Sequence, residues 1–148
     1  MNLTLLDKEL RRDEGVKYVK YPDSKGIPTT GVGHNLKASP LPAGWTFPLN
    51  DGQVNQLLNH DLTVTFAALD LHLPWWRTLS EVRQRVVANM AFNMGIDGLL
   101  EFKNTLNFIK TTDYKAASFG MLQSAWAKQV GERADRLAQA MKTDVMPA

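Results

Sequence analysis

DEGVKYVKYPDSKGIPTTGVGH, residues 13–34, is the stretch whose reading decides this chain. Before it, Leu3, Leu6 and Leu10 recur at helical spacing with Leu5 adjoining, and Asn2 or Thr4 stands in capping position. Gly15 follows Glu14 and is suited to the C-terminal end of that helix. Residues 16–21 have strand composition, PDSKG is turn chemistry, and residues 27–33 read as a second short strand. Pro28 inside it marks an edge or a bulge, because proline cannot donate to a ladder. The reading therefore puts Glu14 at a helix end, Asp23 in a turn and Thr29 on a strand.

One acid, one carboxylate and one hydroxyl on adjoining elements can hydrolyse a glycosidic bond. One carboxyl protonates the leaving oxygen and the other handles the water or the anomeric carbon. The geometry sets a condition. Asp23 stands nine positions after Glu14, which is roughly 30 Å fully extended, whereas the two carboxyls must approach to roughly 5–9.5 Å. The chain has to bend near Gly15 and again at Tyr21-Pro22. Each residue also has a plainer reading. Glu14 could be a surface carboxylate, Asp23 an ordinary turn residue after proline, and Thr29 a β-branched strand filler. A general acid at Glu14 must hold a proton near neutral pH, which burial, a nearby negative charge or a helix C-terminus favours.

Outward from this stretch, residues 36–49 contain Pro40, Pro42, Pro48 and Gly44 and read as a loop. Asn50 or Asp51 starts a long helix through about residue 73, with Leu57, Leu58 and Leu62 on its faces. Ser80 caps a helix carrying Val82, Val86, Val87, Met90 and Ala91, which ends at NMGIDG. Further helices are expected over residues 99–109, 113–123 and 132–142. The predicted fold class is α+β and mostly helical: a small β-hairpin lobe (15–50) joined by a long helix (51–73) to a helical bundle. No repeat or low-complexity segment is visible.

The chain has 148 residues, with 44% hydrophobic and 22% charged content, which suits one domain or two small lobes sharing a helix. A net charge of +2 is too small to argue for nucleic acid, where a clustered basic stripe is expected. There is no cysteine, and hence no disulfide framework and no cysteine-built metal site. Charges at Asp7, Lys8, Glu9, Arg11 and Arg12 leave no signal-peptide core, and no apolar run approaches a membrane span. Accumulation in the cytoplasm of the producing cell is the expectation, without a membrane anchor. Neither His34, His60 nor His72 forms a convincing metal cluster. His34 is read as structural in preference to a titrating group, with Asp61 a possible ion-pair partner. Gly31-Val32-Gly33 is a poor phosphate loop and suits close backbone packing or close approach of a sugar. Trp126 is expected in the core, and Trp45, in its proline-rich loop, is the aromatic best placed to stack on a sugar face.

The DEG at a helix end, the Asp nine residues after the Glu, the Thr six later and then TGVGH resemble the phage lysozymes, the muramidase endolysins of the T-even type. RQRVVANMAFNMG (residues 83–95) is similar to that family's C-terminal-lobe helix and following turn. WAKQVGERADR (residues 126–136) is similar to its Trp…Arg-Ala-x-Arg segment. The three patches stand in the family's order across most of the chain. The resemblance implies a lysozyme-like fold, with residues 1–14 joining residues 74–148 in the helical lobe and a glycan-binding cleft between lobes. It implies cleavage, with inversion, of the β-1,4 bond between N-acetylmuramic acid and N-acetylglucosamine in peptidoglycan, leading to host lysis. Glu14 would be the general acid, Asp23 the base and Thr29 the residue that places the water. Phe92, Asn93, Thr105, His34 and Arg133 would contact substrate; Asn93 stands where family members often carry a longer glutamine. Neither cofactor nor metal is implied. The partners would be peptidoglycan strands, with a holin needed for access from the host cytoplasm to the wall, and the protein is expected to act as a monomer. Two rivals stay open: a lytic transglycosylase, which needs an acid but no second carboxylate, and a non-catalytic peptidoglycan-binding module.

Overall fold

The computed structural model describes all of residues 1–148. Its residues group into two compact units, Leu3–Val64 and Thr65–Ala148 with Met1–Asn2. The first unit opens with helix α1 (Leu3–Glu14), which buries Leu6 and Leu10 one turn apart. Gly15 ends α1 at φ +76°, its N–H bonding the Arg11 carbonyl at 3.0 Å, as a left-handed C-terminal residue should. Three strands follow, β1 (Lys17–Pro22), β2 (Pro28–Gly31) and β3 (His34–Asn35), in one antiparallel sheet of order β1-β2-β3. Pro28 is the first residue of β2, where a missing N–H costs least.

The segment expected as one strand over residues 27–33 is instead broken. Gly31 and Gly33 both take positive φ (61° and 62°), so the chain turns about Val32 and β3 pairs back on β2, Thr30 opposite His34. Two glycines bracketing one buried valine make that turn possible where side-chained residues would be strained.

Helix α2 (Asp51–His72) starts with a reciprocal cap. Asn50 Oδ1 accepts from the Gln53 N–H at 2.8 Å, and Gln53 Oε1 accepts from the Asn50 N–H at 3.0 Å. Its first turns carry Val54, Leu57 and Leu58 into the core. Side chains of Val54 and Leu57 lie against the backbone of Gly31, so the sheet packs directly on α2. Arg11 bonds Asp7 on its own helix and Asn55 on α2, each at 2.6 Å. With these ties α1 groups with the sheet in the first compact unit.

The second unit is helical: a 3-10 turn (Pro74–Thr78), α3 (Glu81–Leu100), α4 (Lys103–Lys110), α5 (Tyr114–Leu122), α6 (Ala125–Val130) and α7 (Glu132–Thr143). Ser80 caps α3, Asp113 caps α5 and Ser124 caps α6, each side chain accepting from an N–H three residues on. Helix α3 kinks at Gly95 (φ 77°, ψ 162°), within the NMGIDG segment read as a helix end. The next helix starts at Lys103 rather than near residue 99, because Leu99 and Leu100 still complete the turn after the kink. Small side chains at Ala117, Ala134 and Ala138 are fully buried and let α5 and α7 approach closely, and Ser118 donates to the Ala138 carbonyl at 2.8 Å. Arg83 joins three helices: Nε donates to the Met141 carbonyl at 2.7 Å while the guanidinium lies 3.6 Å from the Tyr114 ring centre. No helix is long and apolar enough to cross a membrane.

Candidate active site

Glu14 is the last residue of α1 and is half-buried. Its carboxyl lies on the backbone of Gly33. A Cβ at Gly33 would stand 2.8 Å from Oε1 and 2.9 Å from Cδ, and φ there is positive as well. Gly33 is therefore required twice, for the turn and for the space the acid occupies. This is the close backbone packing that the G-x-G pattern suggested; the neighbour concerned was not legible in it.

Asp23 sits after β1 in the expected turn. Its Oδ1 accepts from the N–H groups of Lys25 and Ile27, both at 2.8 Å, and its own N–H donates to the Ile27 carbonyl at 2.9 Å. The same Ile27 carbonyl accepts from the Thr29 hydroxyl at 2.8 Å. One peptide residue thus holds both side chains. Thr29 is 4% exposed. Because its O–H is committed to Ile27, its oxygen faces the site as an acceptor. Asp23 likewise keeps Oδ2 as an acceptor. The bends demanded by the separation of Glu14 and Asp23 are present at Gly15 and at the end of β1, where Pro22 pairs with Pro28.

Tyr21 completes this neighbourhood, and the sequence reading assigned it no role. It lies directly opposite Thr29 in the β1–β2 ladder. Burial, then the charges of Glu14 and Asp23, hold its phenol above the ordinary value, so the ring senses both carboxylates. The detectable signal in the sequence was its place near the end of a strand that runs directly into the Asp23 turn.

His34 is 1% exposed, and both ring nitrogens face acceptors: Nδ1 lies 2.7 Å from Asp61 Oδ2 and Nε2 lies 2.7 Å from the Ser39 carbonyl. Only the doubly protonated ring satisfies both partners. Burial opposes the charge, but the Asp61 hydrogen bond and charge, with the Ser39 carbonyl, outweigh it and hold the imidazole above its ordinary value. A histidine raised on folding stabilises the fold at pH below its unfolded value and loses that contribution as pH climbs through its higher folded value. Asp61→Asn should therefore cost roughly 1–3 kcal/mol at pH 5.5 and distinctly less at pH 8.5. Urea unfolding at the two pH values reads this, and an equal loss at both would remove the ion pair as the cause. The position of His34 is that of a structural clamp between β3 and α2.

The remaining substrate-contact expectations lie in the helical unit. Phe92 is half-buried. Asn93 Oδ1 accepts from Trp126 Nε1 at 2.7 Å, which ties up its carbonyl and explains why Trp126 is buried. Thr105 is 5% exposed, its hydroxyl seated on the α5 backbone where a Cβ at Gly120 would come within 2.5 Å. Arg133 is buried, with Nε donating to Asn89 at 3.0 Å. Trp76 is fully buried and donates to Asp70, whereas Trp45 and Trp75 are half-buried. No group of three or more His, Cys, Asp or Glu side chains could hold a metal ion.

A helix-end glutamate thus lies against a β-hairpin that carries an aspartate in its turn and a threonine on its second strand, on an α+β scaffold. The chain belongs to the phage lysozyme family, whose model matches residues 11–142. It is 29% identical to the pre-baseplate central spike protein Gp5 of Enterobacteria phage T4, over 90% of this chain but 27% of that protein's length. It is 24% identical to the probable T4-type lysozyme 1 of Dictyostelium discoideum, over 94% of each chain. It is 28% identical to the endolysin of Salmonella phage P22, over 80% of this chain and 78% of the relative. Family and relatives together point to a glycoside hydrolase with a lysozyme role on peptidoglycan.

Proposed function

We propose that this chain hydrolyses the β-1,4 bond between N-acetylmuramic acid and N-acetylglucosamine, with inversion at the anomeric carbon. The observation that carries the reading is the shared grip of Ile27 on Asp23 and Thr29. It leaves Asp23 Oδ2 and the Thr29 oxygen as two acceptors from one rigid turn. A water placed between them has both protons engaged and its lone pair open to the anomeric carbon. Asp23 takes one proton as the water attacks, and Glu14 gives its own to the departing sugar oxygen. Thr29 places the water and does not titrate. Family resemblance supports the same three roles.

In this reading the partners are glycan strands of the wall. The protein works as a monomeric endolysin, held in the host cytoplasm until a holin opens the membrane, and lysis follows. Phe92, Asn93, Thr105, Arg133 and His34 are proposed as substrate contacts.

Product analysis tests the reading. NMR of glycan freshly released from purified peptidoglycan should show new reducing ends that appear first as the α-anomer. Retention gives the β-anomer first and removes the single-step attack of water on the anomeric carbon. Anhydro ends without net water uptake identify a transglycosylase, and binding without release of ends identifies a non-catalytic module.

A further inference from the structure

We propose that Tyr21 is a substrate-positioning residue, its hydroxyl donating a hydrogen bond to an acceptor oxygen of the N-acetylated glycan beside the scissile bond. The proposal rests on the hydrolase reading of the same site and adds a residue to it. Tyr21 and Thr29 are directly opposed in an antiparallel ladder, so their side chains leave the same face with Cβ atoms about 4.5–5.5 Å apart. Thr29 is buried while Tyr21 is half-exposed, which sets the phenol on the solvent side of the threonine. Tyr18, on the same strand, spends its hydroxyl on Asp51 at 2.6 Å. The Tyr21 hydroxyl has no hydrogen-bond partner in the protein.

The chemistry of its neighbours sharpens the assignment. Asp23 Oδ2 accepts, the Thr29 proton is committed to Ile27, and the Glu14 proton goes to the leaving oxygen. Among these four residues the phenol alone carries an O–H that neither the protein nor the reaction uses. Flanked by two carboxylates and partly buried, it stays neutral across the working range and so remains a donor. Sugar hydroxyls and acetamido carbonyls offer acceptors of the matching kind.

Tyr21→Phe removes only the hydroxyl and keeps the ring. Its KM on purified peptidoglycan should rise about tenfold with kcat within about threefold, as expected for a lost hydrogen bond made already in the bound state. The pH–rate profile and melting temperature should stay where they are. A second arm places the same change in a Glu14→Gln background and measures binding of a soluble N-acetylglucosamine–N-acetylmuramic acid oligosaccharide by calorimetry; affinity should fall about tenfold. A fall in kcat at unchanged KM with a displaced pH profile means that Tyr21 merely supports the carboxylates, and overturns the proposal. So do unchanged kinetics or unchanged binding, and so does a Glu14→Gln parent that binds no oligosaccharide. If the wild type binds but does not hydrolyse, the hydrolase reading fails while the binding arm still decides the role of Tyr21.

Discussion

Glu14→Gln abolishes the release of reducing ends from purified peptidoglycan, with kcat falling by about a thousandfold or more, at the upper end of what general acid catalysis contributes. Glutamine fills the same space over Gly33, so the packing that seats the side chain is retained. What it lacks is a proton to deliver. Without one, the sugar oxygen must depart as an alkoxide, and the barrier rises accordingly. A circular dichroism spectrum matching wild type establishes that the variant folds. Activity equal to wild type in a folded variant would remove Glu14 from the mechanism and most of the proposed function with it.

Asp23 offers the second large effect, and the structure decides which substitution isolates it. Asp23→Ala removes the base and also two hydrogen bonds that hold the turn, to the N–H groups of Lys25 and Ile27. Asp23→Asn keeps an amide oxygen for both N–H groups and replaces only the oxygen that would take the proton from water. The asparagine variant should keep the melting temperature of the wild type while kcat falls about a hundredfold to ten-thousandfold. The alanine variant should lose a similar amount of activity and, in addition, about 1–2 kcal/mol of stability from the opened turn. Retention of activity in Asp23→Asn, with products ending in an anhydro sugar, would mean that no second carboxylate acts and that the transglycosylase rival is correct.

Much of this fold was legible because its boundaries are written locally. Gly15, Asn50, Ser80 and Asp113 end or cap helices through their own backbone freedom or side-chain oxygens, and each sits where its pattern announced it. The elements that escaped were short. The two-residue β3 and the six-residue α6 have too few positions to show a period; β3 is held by pairing with β2, and α6 by burial of its own Trp126. Thr105 and Arg133 are buried, a hydroxyl pressed onto the backbone at Gly120 and a guanidinium bonded to Asn89, and no linear spacing reveals that burial.

The candidate site divides in the same way. Local patterns in residues 13–34 placed Glu14 at a helix end, Asp23 in a turn and Thr29 on a strand, and the resemblance to the phage lysozymes supplied the roles expected of them. Sequence alone also determined the α+β class, the long helix starting at Asn50 or Asp51 and the lack of any disulfide. Tertiary structure decided the rest. It set Gly33 beneath Glu14, bound Asp23 and Thr29 to one residue, aligned Tyr21 with Thr29, and closed His34 between Asp61 and Ser39. Those are contacts across turns and between strands, made by directional hydrogen bonds and steric exclusion. They depend on ladder register and on the twofold use of a glycine, quantities that exist only once the chain has folded.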